Sequence, residues 1–409
     1  MNVTGIIVEY NPFHNGHKYH IESARSATKC DAIIAVMSGN FVQRGSPSII
    51  DKWTKTKMAL LNGVDLVFEL PVIYSLSSAE FFAYGAVSLL ENLGVVNNLC
   101  FGSECSNINL LKSIAKILAE EPTQFKLFLK EKLSNGMSYP SARNSALNNF
   151  LLNTKSSLTK YNIDEILQSP NNILGIEYLK NLIRIKSNIT PISIKRIGSS
   201  YNSLNIEQSF SSASSIRNFL KLNGNINELS SNVPENVLSI LKKSQSTGCD
   251  FIFEDCMVPY LKYKSFLYEN KIRNLPDISE GIENRILRSL QNNCSYNDII
   301  IKSKTKRYTY SRISRILCQF FLGFENLNSQ ILRRNMCPYG RVLGFNSTGI
   351  KVLKEMKNSS SIPIYVKMPK KISEMLQLDI QATKAYSLLN KNISFNSDYL
   401  QSPIMADQI

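Results

Sequence analysis

The chain's three histidines, His14, His17 and His20, stand together near its start, in Asn11-Pro-Phe-His-Asn-Gly-His-Lys-Tyr-His20. On a helix, His14 and His17 share one face a turn apart. Imidazoles at that spacing can donate hydrogen bonds to phosphoryl oxygens, and Gly16 lets a ligand approach the backbone. The same pair could be metal ligands or plain helix caps. No carboxylate, cysteine or further histidine stands at ligand spacing nearby, so no metal is assigned. His20 lies farther round the helix and reads as packing.

The elements that must position these rings follow from hydropathy. Val3–Val8 is a short β-branched run, as in a buried parallel strand. Asn11-Pro12 breaks it, and a helical pattern starts at His14. A helix N-terminus after a strand and turn offers free N–H groups and partial positive charge, a natural phosphate site. Further strands are predicted at 31–37, 64–70, 96–101 and 192–197, and helices at 52–61 and 78–93. This alternation predicts an α/β fold, a Rossmann-like doubly wound parallel sheet. Ligands of such sheets bind at the carboxyl ends of the strands, where Tyr10–His17, Ser38–Gly45 and Gly102–Glu104 all fall. Residues 108–185 read as a mostly helical insertion, with Pro170-Asn171-Asn172 as a turn. Ser211-Ser-Ala-Ser-Ser-Ile-Arg217 opens a further helix, and Ser-rich helix starts are also ordinary caps. The expected division is 1–235 and 245–409, the second part mainly helical with a short β-like tail at 339–345 and 362–366.

The formal charge is +15 with a pI of about 9.3, which points to a polyanionic partner. Residues 251–409 hold 23 Lys+Arg and 13 Asp+Glu, most of that surplus. Lys302-Ser-Lys-Thr-Lys-Arg-Tyr-Thr-Tyr-Ser-Arg-Ile-Ser-Arg315 interleaves basic residues with Tyr308 and Tyr310. Lys302, Lys304, Lys306, Arg307, Arg312 and Arg315 are candidate RNA contacts, with the tyrosines as stacking rings; a solvated basic face is the plainer reading. Lys367, Lys370 and Lys371 are weaker candidates. No run of eighteen apolar residues appears and the start lacks a signal-peptide layout, so a cytoplasmic protein without membrane association is expected. The eight cysteines lack Cys-x-x-Cys spacing and read as reduced packing thiols.

The His-x-Gly-His run resembles the signature of the nucleotidylyltransferase superfamily. Joined to Met37-Ser-Gly-Asn-Phe-Val-Gln-Arg-Gly45, it resembles the bacterial tRNA(Met) cytidine acetate ligases. Ser212-Ala-Ser214-Ser-Ile-Arg217 is similar to the second superfamily signature, with Ala213 where many relatives carry serine. The resemblance implies ATP-dependent ligation of acetate to the N4 amine of the wobble cytidine, C34, of elongator tRNA(Met). An acetyl-adenylate would form first, with release of pyrophosphate and then AMP.

It also implies residue roles. His14, His17, Lys18 and Arg44 would be catalytic, with Arg44 on the acyl or cytidine side. ATP would contact Ile7, Val8, Glu9, Tyr10, Asn11, Pro12, Phe13, Asn15, Gly16, Tyr19 and His20 around those histidines. Gly102, Asn171, Asn172, Arg196, Ser212, Ser214 and Arg217 would complete the pocket, with Lys18, Ser212, Ser214 and Arg217 on the pyrophosphate. Mg²⁺ is compatible with ATP use, but no residue marks its site. No protein partner is implied. Two alternatives stay open: an adenylyltransferase acting on a small metabolite, and a non-catalytic tRNA-binding protein with a degenerate nucleotide site. No Lys-Met-Ser-Lys-Ser-like loop supports a synthetase.

Overall fold

The computed structural model describes residues 1–197, 211–222, 224–246 and 251–406. The polar loop expected before Ser211 lies outside the described residues, as do Asn223 and Cys249. Strand β1 (Val3–Val8) pairs in parallel with β2 (Ala32–Ser38), in register from Val3 opposite Ala32 to Val8 opposite Met37. Successive β2 residues enter opposite apolar layers, Ala32, Ile34 and Val36 on one face and Ile33, Ala35 and Met37 on the other. A strand covered on both faces has no polar side, so its sequence is apolar without alternation.

A hairpin of β3 (Phe41–Val42) and β4 (Ser46–Pro47) leaves the end of β2. Strand β5 (Leu66–Leu70) extends the sheet beside β2, while β6 (Asn98–Ser103) and β7 (Thr190–Lys195) extend it beyond β1, all in parallel. The order β5-β2-β1-β6-β7 reverses direction between β1 and β6, which opens a crevice at their carboxyl ends.

The helices that frame this crevice are α1 (Asn15–Thr28), α2 (Lys52–Leu61), α3 (Ala79–Asn92), α4 (Pro170–Arg184) and α5 (Ala213–Lys221). Farther on, α6 (Tyr296–Ser303) and α7 (Tyr310–Leu322) belong to a helical stretch. The expected turn at Pro170-Asn171-Asn172 is instead the first turn of α4. Proline is accommodated at the first helical position because its missing N–H would have no partner there.

The expected β-like tail joins the main sheet. Strand β8 (Gly340–Phe345) runs antiparallel along β5 and carries β9 (Ile364–Tyr365) and β10 (Ile404–Met405). Its attachment is partly ionic. Buried Lys52 reaches Glu69 and Asp398, each at 2.8 Å, and Arg341 reaches the same carboxylates at 3.0 and 2.8 Å. Breaking such a buried set by removing one charge typically costs about 3–5 kcal/mol.

Candidate active site

A cavity of about 370 Å³ occupies the crevice between β1 and β6. His14 is the N-cap of α1 and His17 lies in its first turn. Gly16 N–H donates to His14 Nδ1 at 3.0 Å, and His14 N–H donates to His17 Nδ1 at 3.2 Å. The rings stack with centroids 3.7 Å apart. Gly16 is required for this: a Cβ there would meet His14 Cε1 at 2.9 Å. Because each Nδ1 accepts, each ring proton sits on Nε2, which is the donor left for a ligand. Burial, with Arg196 and Arg217 nearby, lowers His14 to about 3. Burial, with His14 and Arg196, holds His17 well below the ordinary imidazole range. Both rings are neutral donors at neutral pH.

The expectation that the α1 N–H groups face a phosphate is not met. Asn15 N–H donates to Asn232 O at 2.9 Å, and His17 and Lys18 N–H turn back to His14 O at 2.8 and 3.2 Å. The Nε2 sides of the histidine rings take that place at the cavity.

Most expected contact residues converge. Ile7, Val8, Glu9, Tyr10, Asn11, His14, Gly16, His17, Tyr19, His20, Arg44, Gly102, Asn171, Arg196, Ser212 and Arg217 line the cavity. Arg217 Nη1 donates to Asn11 O at 2.7 Å, joining the Ser-rich helix start to the first turn motif. Arg196 lays its stem over Gly102, where a Cβ would approach Arg196 Cγ to 3.2 Å. His20 is part of the lining rather than packing alone; burial, with Arg196 nearby, lowers it to about 4.

Others stand behind the wall. Pro12 and Phe13 are buried beneath the turn. Asn15 secures α1 to Ser231 and Asn232. Asn172 Oδ1 accepts from Glu104 N–H at 3.0 Å and Cys105 N–H at 3.2 Å, while its own N–H donates to Glu104 Oε2 at 2.9 Å. Asn171 Nδ2 donates to Glu104 Oε1 at 2.7 Å, so Asn171 is the one that lines the cavity. Ser214 Oγ accepts from Arg217 Nη2 at 3.2 Å instead of lining the cavity. Lys18 is exposed on the other side of α1, in a second depression with Glu22, Arg25 and Glu235. A residue one position past His17 is turned about 100° around the helix, which carries it off the histidine face.

Sequence reasoning missed the apolar wall of Ala79, Phe82, Phe101, Leu174 and Tyr178. Their periodicity marks them only as core residues. It also missed Lys55, buried under the site, whose Nζ donates to the carbonyls of Glu9, Ser38 and Gly39 at 3.0, 2.8 and 2.7 Å. Burial lowers it to about 8 against the pull of nearby carboxylates. The available signal was two lysines, Lys52 and Lys55, one turn apart on a helix face that also carries Met58 and Ala59.

Residues 1–400 match the family described as HIGH Nucleotidyl Transferase, and that match decides the family. The chain belongs to the HIGH nucleotidyl transferase family. Within that family it is 64% identical over 409 residues to a tRNA(Met) cytidine acetate ligase of Clostridium kluyveri, covering all of both chains. A tRNA(Met) cytidine acetate ligase of Clostridium tetani is 54% identical over 405 residues, 99% of this chain and 100% of that one. The crystal structure of apo Thermotoga maritima TmcAL superposes with a TM-score of 0.92 at 34% identity over 99% of each chain. The structure of the same protein bound with alpha-thio ATP gives 0.90 at the same identity and coverage.

The basic segment is only partly a surface. Lys302, Lys304, Lys306 and Tyr310 are exposed. Arg307 is exposed and pairs with Glu280 at 2.6 Å. Arg315 is not on that face: it is 8% exposed and lies 3.7 Å from Asp277, which also holds Arg333 at 2.9 Å. Arg312 donates to Asp277 O at 2.8 Å and stacks on Tyr308 at 3.9 Å. Tyr308, expected as a stacking ring for RNA, is buried with its hydroxyl against Ser279. No helix among the described residues is long and apolar enough to cross a membrane.

Proposed function

We propose that this chain is a tRNA(Met) cytidine acetate ligase, coupling acetate to the N4 amine of the wobble cytidine, C34, of elongator tRNA(Met) at the expense of ATP. The observation that carries the reading is the full-length 64% identity to a ligase of that name, joined to an intact histidine pair in a nucleotide-sized cavity. Acetate is a poor acyl donor until one oxygen becomes a better leaving group. Its carboxylate attacks the α-phosphorus, the bond to the β-phosphate oxygen breaks, and pyrophosphate departs. The cytidine amine then attacks the acetyl carbon of the adenylate, AMP leaves, and the amine loses a proton.

No covalent nucleophile is needed, so positioning and electrostatics supply the catalysis. The Nε2–H groups of His14 and His17 stabilise charge on the α-phosphate and bridging oxygen. Being neutral, they do so without placing two cations beside Arg196 and Arg217, which balance the triphosphate. The Asn171 end of α4 takes the base or ribose, and the apolar wall is suited to the acyl methyl. Arg44 serves the acyl or cytidine side. Mg²⁺ accompanies ATP as its counter-ion, and no protein ligand is assigned to it.

The nucleotide chemistry is assigned to 1–235 and RNA docking to the helical part of 245–409, through Lys302, Lys304 and Lys306, within the cytoplasm, while the strands of 245–409 complete the main sheet. The test is incubation with ATP, labelled acetate and bulk tRNA, followed by nucleoside analysis. Label in N4-acetylcytidine is the expected result. Label that stays off tRNA while AMP is joined to a small metabolite would replace this reading with an adenylyltransferase.

A further inference from the structure

The tip of the β3–β4 hairpin is held from two sides. Gln43-Arg44-Gly45 is a three-residue turn in which Gly45 N–H donates to Val42 O at 2.9 Å and Gly45 has φ of 85°. A left-handed glycine after two turn residues is the usual closure of such a hairpin. On the cavity side, Gln43 N–H donates to Glu9 Oε1 at 2.6 Å and Gln43 Nε2 to Ser77 O at 3.3 Å. On the far side, Ser314 Oγ donates to Gly45 O at 2.7 Å. Behind it, the Tyr296 hydroxyl lies 3.0 Å from Ser314 Oγ and 3.2 Å from Gly45 O. A Cβ on Gly45 would come within 2.3 Å of Arg315 N, so the turn lies directly on the backbone of α7. Ser314 and Tyr296 are both buried, where a hydroxyl left without its partner is costly.

We infer that Ser314, backed by Tyr296, is a positioning residue for Arg44, holding the Gln43–Gly45 turn that carries Arg44 at the edge of the cavity from outside the nucleotide-binding elements. The inference rests on the role given to Arg44 above. It also means that α6 and α7, which flank the exposed lysines, set the geometry of one side of the reaction centre.

A double-mutant cycle on the full-length protein tests this. Single-turnover acetyl transfer is measured at saturating ATP, acetate and tRNA for Ser314→Ala, Arg44→Ala and the double variant, alongside tRNA affinity. Misplacement of a catalytic group by about 1 Å can cost on the order of a hundredfold, so each single variant should slow transfer about ten- to a hundredfold. The double variant should be no slower than Arg44→Ala, with tRNA affinity unchanged throughout. Losses that multiply, or Ser314→Ala at the wild-type rate, would overturn the positioning role alone. Arg44→Ala at the wild-type rate would instead remove the role assigned to Arg44. Tyr296→Phe keeps the ring and the Ser314–Gly45 bond but removes the hydroxyl behind them; a smaller loss that disappears in the Arg44→Ala background is expected even if Ser314→Ala folds poorly.

Discussion

His14 Nδ1 and His17 Nδ1 both accept backbone N–H groups from one turn of helix, at 3.0 and 3.2 Å, so the two stacked rings share a tautomer. The capping hydrogen bonds of α1 thereby orient the donors that would meet a phosphate. Fold and chemistry can be separated at these positions, because one nitrogen caps and the other faces the ligand.

His17→Ala should lower acetyl transfer about 10²–10³-fold, the usual loss for one donor to a developing oxyanion. Affinity for tRNA, measured by gel shift, should stay near wild type. Equal loss of both would argue against the assignment.

His14→Asn offers a sharper test. An asparagine side-chain oxygen can still accept from Gly16 N–H, so the helix cap survives. The melting temperature should be nearly unchanged while the rate falls as for His17→Ala; a variant that keeps both its stability and its rate would deny the Nε2 donor any role.

The depressed imidazoles have a consequence for pH. His14 is lowered to about 3 and His20 to about 4 by burial, with Arg196 and, for His14, Arg217 adding to it. The unfolded chain therefore binds protons that the folded chain refuses between those values and about 6.5. Stability of the ligand-free protein should fall as pH drops from 6.5 towards 4, read by denaturant unfolding. His20→Gln should lessen that fall. Acetyl-adenylate formation should show no inflection near pH 6.5, and an inflection there would mean a charged imidazole takes part.

Neutralising Lys302, Lys304 and Lys306 together should weaken tRNA binding and flatten its dependence on salt, by roughly 0.7–0.9 in log–log slope per lost phosphate contact. Acetate-dependent ATP turnover should persist. Arg315→Gln should behave differently. It removes the more distant of two arginines on Asp277 while Arg333 stays at 2.9 Å, so the loss in unfolding free energy should be measurable but below the roughly 3–5 kcal/mol of a buried charge left alone. Selective loss of RNA binding with full stability would put Arg315 back on the RNA face.

The sequence made the nucleotide half legible because its signals are local. Val3–Val8 and Lys52–Leu61 match their predicted spans residue for residue, since an apolar run or a helical period is written in consecutive positions. What escaped prediction depends on distant partners. Arg315 reads as one more member of a basic run until Asp277 and Arg333 are brought beside it. Asn171-Asn172 reads as a turn until the Glu104 carboxylate arrives to accept the first N–H groups of α4 at 3.3 and 2.9 Å. Lys18 shares the motif with His17 yet faces away, because one helical step is a third of a turn.

The antiparallel seat of β8 against β5 has a consequence for how the chain is made. The ribosome releases β5 long before it reaches Gly340, and through that interval one side of β5 has no permanent neighbour. An open strand edge of this kind invites pairing with other chains. Truncation before Gly340 would turn that passing exposure into a lasting one, so a chain ending there should precipitate rather than accumulate as a working fragment.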